Sequence, residues 1–262
     1  MRALLTAATG MMAMELNVQV ISNNLANMTT TGYKRQRVEF QDLLYDHVSR
    51  IGTQTSTQGN ILPVGIDIGS GVKTVGTPRL MTQGTLLQTG GSLDVAIRGD
   101  GFFKIQLPDG TFAYSRDGSF QMDQQGRIVT AQGNLVQPSI TIPPNSTGLT
   151  ISPQGQVSVI PQGSTTPTVL GQLILTRFIN QAGLLSIGDN MYTETPASGT
   201  PQDGLPATDG AGDLQQGSLE QSNVDSVTEI TNLIAAQRAY EMNSKVITAA
   251  DQMLSTASNL MH

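Results

Sequence analysis

Hydrophobic residues recur at alternating spacings of three and four at the N-terminal end of the chain, and this pattern constrains the fold most. Such spacing is the heptad pattern of an amphipathic helix that packs against another helix. Its members are Leu4, Ala7, Met11, Met14, Val18, Ile21, Leu25 and Met28. The sequence therefore predicts a long helix that ends near Gly32, a residue suited to a left-handed C-terminal cap.

A second hydrophobic stripe lies at the C-terminal end. Its large residues recur every seventh position, and small alanines flank them, which would let another helix approach closely. The large residues are Leu233, Tyr240, Ile247, Leu254 and Met261, and the alanines include Ala236, Ala250 and Ala257. This helix should begin just after Asn223 or Asp225, either of which can cap its first turn.

Between the two stripes the hydrophobic period changes to two, as expected of strands. Val95 and Ile97 alternate with other residues, and the same spacing recurs in later segments that include Phe103 and Val157. Turn sequences separate these segments at residues 108–110, 116–118, 124–126 and 153–155. Because x-Gly dipeptides favour tight hairpins, the middle of the chain should be a meander of short antiparallel strands.

The predicted fold class is α+β, with the terminal helices packed as a coiled-coil-like domain and a β-rich antiparallel middle domain. Residues 49–76 and 197–217 fit neither period and are interpreted as connectors. The predicted domains are a discontinuous helical domain of residues 1–32 and 223–262, an extended connector of residues 33–76 and a β-rich outer domain of residues 77–222.

The residue inventory argues against an enzyme and against metal or cofactor binding. The chain has no cysteine and only two histidines, His47 and His262, so thiolate, zinc and histidine-based chemistry lack their usual groups. A formal net charge of -6 is unsuited to nucleic acid. The dense basic run at residues 33–37 is interpreted as a solvated turn. We find no run of eighteen apolar residues that would indicate a membrane span, and the N-terminal segment is not expected to be a cleaved signal peptide.

Two long apolar stripes bury little surface as an isolated pair, so neighbouring copies are expected to supply the missing cover. We predict that the large stripe residues of the two helices pack together in an assembly. Asparagines off the stripe are expected to form hydrogen bonds with neighbouring subunits. The predicted assembly residues are Leu4, Met11, Met14, Val18, Ile21, Asn23, Asn24, Leu25 and Asn27 on the first helix, and Leu233, Gln237, Arg238, Tyr240, Asn243, Ile247 and Leu254 on the second.

Three segments resemble one protein family. Residues 16–27, continuing through 31–35, are similar to the N-terminal signature of flagellar rod, hook and hook-associated proteins. Residues 237–245, which begin with Gln237 and Arg238, resemble the C-terminal counterpart, and residues 94–103 resemble the family's β domain. The resemblance covers essentially the whole chain.

The connector resembles that of the distal-rod members of this family. The similarity lies in residues 40–45 and 62–72, which include Leu62, Pro63, Gly65, Gly69 and Gly71. Its position suggests that it stiffens the assembly, although a disordered tether would fit the composition too.

The resemblance implies a structural subunit that forms a hollow, rigid rod, transmits torque and lets exported subunits pass. It also implies export through the flagellar type III apparatus without signal cleavage, and a place in the basal body from the periplasm to the outer membrane. The implied partners are further copies of the chain, proximal rod proteins, the hook protein and the P- and L-ring proteins. Alternatives are a proximal rod or hook-type subunit, a secreted β-rich binding module, or a wall hydrolase that uses two acidic residues.

Overall fold

A computed structural model of the chain describes residues 2–49, 64–163, 166–208 and 210–260. Helix α1 (Arg2–Ala26) and helix α2 (Ser226–Leu260) lie at the two ends, and twenty short strands lie between them within these ranges. The strands are β1 (Glu39–Asp42), β2 (Tyr45–Ser49), β3 (Ile66–Gly69), β4 (Val72–Gly76), β5 (Leu86–Gln88), β6 (Val95–Arg98), β7 (Phe102–Gln106), β8 (Phe112–Ser115), β9 (Gln121–Met122), β10 (Ile128–Val129), β11 (Leu135–Gln137), β12 (Ser146–Ile151), β13 (Gln156–Pro161), β14 (Thr168–Gln172), β15 (Leu175–Arg177), β16 (Leu185–Gly188), β17 (Met191–Thr193), β18 (Gln202–Gly204), β19 (Asp213–Gln216) and β20 (Ser218–Glu220).

The predicted α+β class is confirmed, with a helix at each end and a β-rich antiparallel middle. The largest sheet has the strand order β16-β17-β8-β7-β11-β10-β9, and β15 joins it by pairing with β7 and β18. A second sheet has the order β12-β13-β14, and four further strand pairs complete the described topology. The hairpin turns predicted at residues 108–110, 124–126 and 153–155 are confirmed between β7 and β8, β9 and β10, and β12 and β13.

Contacts divide the chain into two compact units. The helical unit comprises the described residues of Met1–Leu25, Gln36–Pro78 and Asp225–His262. The β unit comprises those of Ala26–Arg35 and Arg79–Val224. The three-part division expected from the sequence stays a prediction.

The β unit has a large apolar core and a smaller aromatic one. Val95, Ile97, Phe103, Val157 and Val159 belong to the large core and are fully buried or nearly so. In the smaller core, the rings of Phe102, Phe178, Tyr114 and Tyr192 meet edge to face. Strand β7 contributes to both cores because Phe102 and Phe103 lie on its opposite faces.

In the helical unit, the segment after α1 forms a two-stranded ribbon. Strand β1 pairs with β4, and β2 pairs with β3. Two hydrogen bonds link these pairs, from Leu43 N to the Gly71 carbonyl at 2.9 Å and from Ser70 N to the Leu44 carbonyl at 3.2 Å. The prediction that residues 49–76 form a connector without strands is thus wrong at β3 and β4. Their sequences do not predict strands, because each strand is defined by pairing with a partner some 20 to 40 residues earlier in the chain.

Two other boundaries also differ from the predictions. Helix α1 ends at Ala26 rather than near Gly32, because Asn27 starts a turn that Thr30 N closes onto its carbonyl at 3.2 Å. The expected connector at residues 197–217 contains β18 and β19. Strand β19 completes the core by pairing with β6, and its Leu214 is buried. Of the two predicted caps, Asp225 is the one that caps α2, accepting from Val227 N at 3.2 Å.

Gly32 does have the left-handed backbone predicted for it, with φ of 69°, but its role is close packing in the β unit. A Cβ added there would lie 2.9 Å from the backbone carbon of Arg116. We expect Gly32→Ala to lower the free energy of unfolding by more than the ~1–3 kcal/mol of left-handed strain alone, measured by urea denaturation. Gly133→Ala is the matched control, since Gly133 has φ of 86° and open space around it. Equal losses in the two variants would exclude the packing role.

Helix α1 is long enough and, with a mean hydropathy of 1.3, apolar enough to cross a membrane. This is weak evidence for a span, because core helices of soluble proteins and signal sequences meet the same criteria. Here α1 contacts α2 and the ribbon within the helical unit.

Candidate assembly site

The two helices run antiparallel in the helical unit. Near one end, Asn24 Nδ2 of α1 donates to Glu229 Oε2 of α2 at 3.2 Å. Further along, a Cβ at Gly10 of α1 would lie 2.8 Å from Asn243 Nδ2 of α2. Asn24 and Gly10 are 14 residues apart on α1, and Glu229 and Asn243 are likewise 14 apart on α2. The two contacts therefore share one register. Regular knobs-into-holes packing, which a coiled coil requires, stays a prediction.

The side of α2 that carries these two contacts consists of small and polar residues. Glu229, Ala236 and Ala250 are buried, and Asn243 on the same line is half-buried. These positions recur every seven residues, so they lie along one side of the helix. The predicted stripe of large residues lies beside this line: Leu233 and Ile247 are half-buried, whereas Tyr240 and Leu254 are exposed. Gln237 and Arg238 are exposed as well.

The large stripe residues of α1 are also covered only in part. Ile21 and the small Ala7 are buried. The other predicted members within α1 are half-buried; these are Leu4, Met11, Met14, Val18 and Leu25. One copy of the chain thus leaves apolar surface on both stripes open to solvent.

The predicted asparagines have different surroundings. Asn24 is buried, and its amide holds three segments together, because it also donates to the Gln36 carbonyl at 2.8 Å and accepts from Gln36 N at 2.9 Å. Asn23 is exposed, and half-buried Asn27 accepts from the Thr30 hydroxyl at 3.2 Å. Asn24 therefore stabilises the chain itself.

Three of the five predicted connector residues, all glycines, lie within the described part of the chain. Leu62 and Pro63 lie outside the described residues. Gly65 precedes β3, and Gly69 is the last residue of β3. A Cβ added at Gly69 would contact the Tyr45 ring at 3.4 Å. Gly71 has φ of 116°, and a side chain there would collide with the Thr9 hydroxyl of α1. Gly71 thus allows the ribbon to lie directly on α1.

Sequence reasoning missed a buried charge cluster in the β unit. Lys34 and Glu220 are both fully buried, and Lys34 Nζ donates to Glu220 Oε1 at 2.6 Å and to the Thr82 carbonyl at 2.8 Å. Buried Arg116 donates to Glu220 Oε2 at 3.1 Å and to the Gly99 carbonyl at 2.6 Å. The interpretation of residues 33–37 as a solvated turn is wrong at Lys34, because the charge is neutralised by a residue far away in sequence.

The cluster holds two cations and one carboxylate. Burial lowers the pKa of Lys34 below its ordinary value, and the Arg116 cation lowers it further, while Glu220 opposes both. Glu220 also accepts from Gly84 N at 2.8 Å, so it joins the strand segments on either side. These contacts of Glu220 are structural, because they neutralise two buried cations and tie separate segments of the β unit together. In the described ranges no group of three or more acidic or histidine residues could hold a metal ion.

Comparison with known proteins identifies the family. Three family profiles match: "Flagella basal body rod protein" over residues 4–34, "Flagellar hook protein FlgE/F/G D1 domain" over residues 96–159, and "Flagellar basal body rod FlgEFG protein C-terminal" over residues 215–260. The chain is 54% identical over 260 residues to the flagellar basal-body rod protein FlgG of Caulobacter vibrioides, with 99% of each chain covered. It belongs to the FlgG family of flagellar basal-body rod proteins.

Further relatives agree with the FlgG family. FlgG of Borreliella burgdorferi is 49% identical, with 99% of this chain and 98% of the relative covered. FlgF, another basal-body rod protein of Caulobacter vibrioides, is 36% identical, with 94% of this chain and 91% of the relative covered. As a FlgG-family member, the chain is a structural subunit of the basal-body rod of the bacterial flagellum, and its relatives are structural proteins. The hook-type and proximal-rod alternatives are not favoured.

Proposed function

We propose that copies of this chain stack helically into the distal rod, a hollow and rigid shaft that transmits torque from the motor to the hook. The observation that carries the proposal is the apolar surface of the two helices that a single copy leaves open. Large apolar side chains that stay partly or fully exposed are stabilised when a neighbour covers them, since burial stabilises by about 25 cal/mol per Å² of apolar surface.

The surroundings of this shaft follow from the family. We propose that the subunits meet proximal rod proteins at one end and the hook protein at the other, and turn inside the P- and L-rings between the periplasm and the outer membrane. We further propose that the chain passes through the flagellar type III apparatus without signal cleavage and has no catalytic role. The relatives, which are basal-body rod proteins, support the place in the rod, and the other points follow from the resemblance to that family.

Ile247→Asp should abolish rod formation while the β unit stays folded. Ile247 belongs to the predicted α2 stripe and is half-buried in one copy, so a carboxylate there would be taken out of water by a neighbouring helix at a cost of several kcal/mol. Negative-stain electron microscopy of the purified protein at rising concentration would score straight tubes, and circular dichroism would check the fold.

Thr248→Asp is the matched control. Thr248 is exposed on the same turn, about 100° away around the helix, so it adds the same charge off the stripe. Tubes from the Ile247 variant, or loss of tubes in both variants, would contradict the assignment of the stripe.

A further inference from the structure

The helical unit contains a groove between the start of α1 and the ribbon. The groove measures about 370 Å³, and Leu5, Leu44, Tyr45 and Ile68 give it an apolar lining. A salt bridge between Arg2 of α1 and Asp46 of the ribbon spans its margin. No described residue of α2 lines it.

The lining is unusually exposed for large hydrophobic residues. Leu44 is 86% exposed and Leu5 is 63% exposed. A two-stranded ribbon is marginal in water by itself, yet this one is held on α1, where Val72 N donates to the Thr9 hydroxyl at 3.4 Å. The groove is therefore a supported surface whose apolar residues stay exposed among the described residues of one copy.

The same unit has an uncovered apolar helix end. In the register set by Asn24 with Glu229 and Gly10 with Asn243, Arg2 of α1 lies level with Asp251 of α2. The nine residues of α2 after Asp251 extend about 14 Å past α1. Every described side chain from Asp251 to Asn259 is exposed. Met253, Leu254 and Ala257 recur there at helical spacing and form an apolar face.

Charge complementarity favours this helix end as the occupant. The C-terminal end of a helix carries a partial negative charge, and the N-terminal end a partial positive charge. The last turn of α2 has no basic residue, and the first turn of α1 has no acidic residue, so neither partial charge is balanced within its own helix. The groove lies against the first turns of α1 and includes Arg2, whose side chain is 66% exposed and pairs with Asp46 of the same groove. The α2 end of another copy would balance both partial charges.

We propose that this groove receives the last turns of α2, with Met253, Leu254 and Ala257, from a second copy of the chain. The groove and the helix end are different surfaces of one unit, so the contact is head-to-tail and can repeat without closing. The inference rests on the proposed rod function and deepens it, because it names the two surfaces that bring one subunit onto the next.

Disulfide cross-linking tests the contact directly, because the chain has no cysteine of its own. One batch carries Leu44→Cys with an affinity tag, and a second, untagged batch carries Met253→Cys. The batches are mixed, polymerised and oxidised, and tagged heterodimers are scored on a denaturing gel. In a random equal mixture about half of the Leu44→Cys chains should cross-link, because only those beside a Met253→Cys chain bring the two Cα atoms within the ~7 Å that a disulfide requires. A mixture of Val169→Cys, which alters an exposed residue of β14, with Met253→Cys should give only background.

The outcomes separate the two levels of inference. Tubes that form normally without Leu44–Met253 cross-links would overturn the groove contact and leave the rod proposal standing. Cross-links that form only between two chains of the same batch would also overturn it. Failure of the unmodified chain to form tubes under any condition would contradict the proposed function and, with it, the contact. Leu44→Asp supplies a second readout, since it should block assembly without loss of helix content.

Discussion

Glu220→Gln should lower the free energy of unfolding of the β unit by about 3–5 kcal/mol, because it leaves the buried Lys34 and Arg116 without a countercharge. Urea denaturation can follow this unit through tyrosine fluorescence, since the chain has no tryptophan and Tyr33, Tyr114 and Tyr192 are buried there.

The loss should depend on pH in a defined direction. Because the native pKa of Lys34 is lowered, the folded state binds fewer protons than the unfolded state between that pKa and the ordinary lysine value, so stability rises with pH across this window. Removal of the Glu220 charge lowers the pKa of Lys34 further and widens the window. The deficit of the variant should therefore be largest at and below neutral pH and shrink as pH rises.

Glu39→Gln is the matched control for this prediction. Glu39 pairs with Arg37 at 2.7 Å on the surface, where such pairs contribute about 0–1 kcal/mol. A Glu220 variant that loses no more stability than the Glu39 variant would show that the cluster is not needed for the fold.

Asn24→Asp should destabilise the helical unit by about 3–5 kcal/mol, because it sets a second buried carboxylate beside Glu229. The change also removes the amide that donates to Glu229 and to the Gln36 carbonyl. Helix content measured by circular dichroism during thermal unfolding would report the loss. Since like charges raise carboxyl pKa values, the deficit should shrink as pH falls and one carboxyl is protonated.

Two variants make this test specific. Asn23→Asp adds the same charge at an exposed neighbouring position near the end of α1, where a cost of about 0.5 kcal/mol is expected. Combining Asn24→Asp with Glu229→Gln reverses the pair and should restore part of the stability. Equal losses from the Asn23 and Asn24 variants would assign the effect to the helix dipole rather than to the buried pair.

Much of the fold could be predicted because its signals are local. The heptad spacing predicts both helices, and the x-Gly turns predict the hairpins of the β unit, since hydrophobic period and turn chemistry act over a few residues. Strands β3, β18 and β19 could not be found in this way. They are short, and each is defined by pairing with a strand that is remote in sequence.

The candidate site shows the same division. The sequence shows the stripes of large residues, but it cannot show that α1 meets α2 at Glu229 and Asn243, on the side where Ala236 and Ala250 are buried. That choice of face depends on which side chains fit between the two helices, as at Gly10, where a Cβ would crowd the Asn243 side chain. The sequence likewise does not predict that the ribbon packs on α1.

By itself, the sequence determined the two terminal helices, the antiparallel β-rich middle and the resemblance to flagellar rod and hook proteins. Only the tertiary structure decided that Lys34 is buried, that Asn24 holds three segments together and that the large stripe residues stay partly exposed. The physical reason is that periodicity reflects interactions between near neighbours. Burial and ion pairing depend on residues such as Glu220, which lies 186 positions after Lys34 and meets it only in the folded chain.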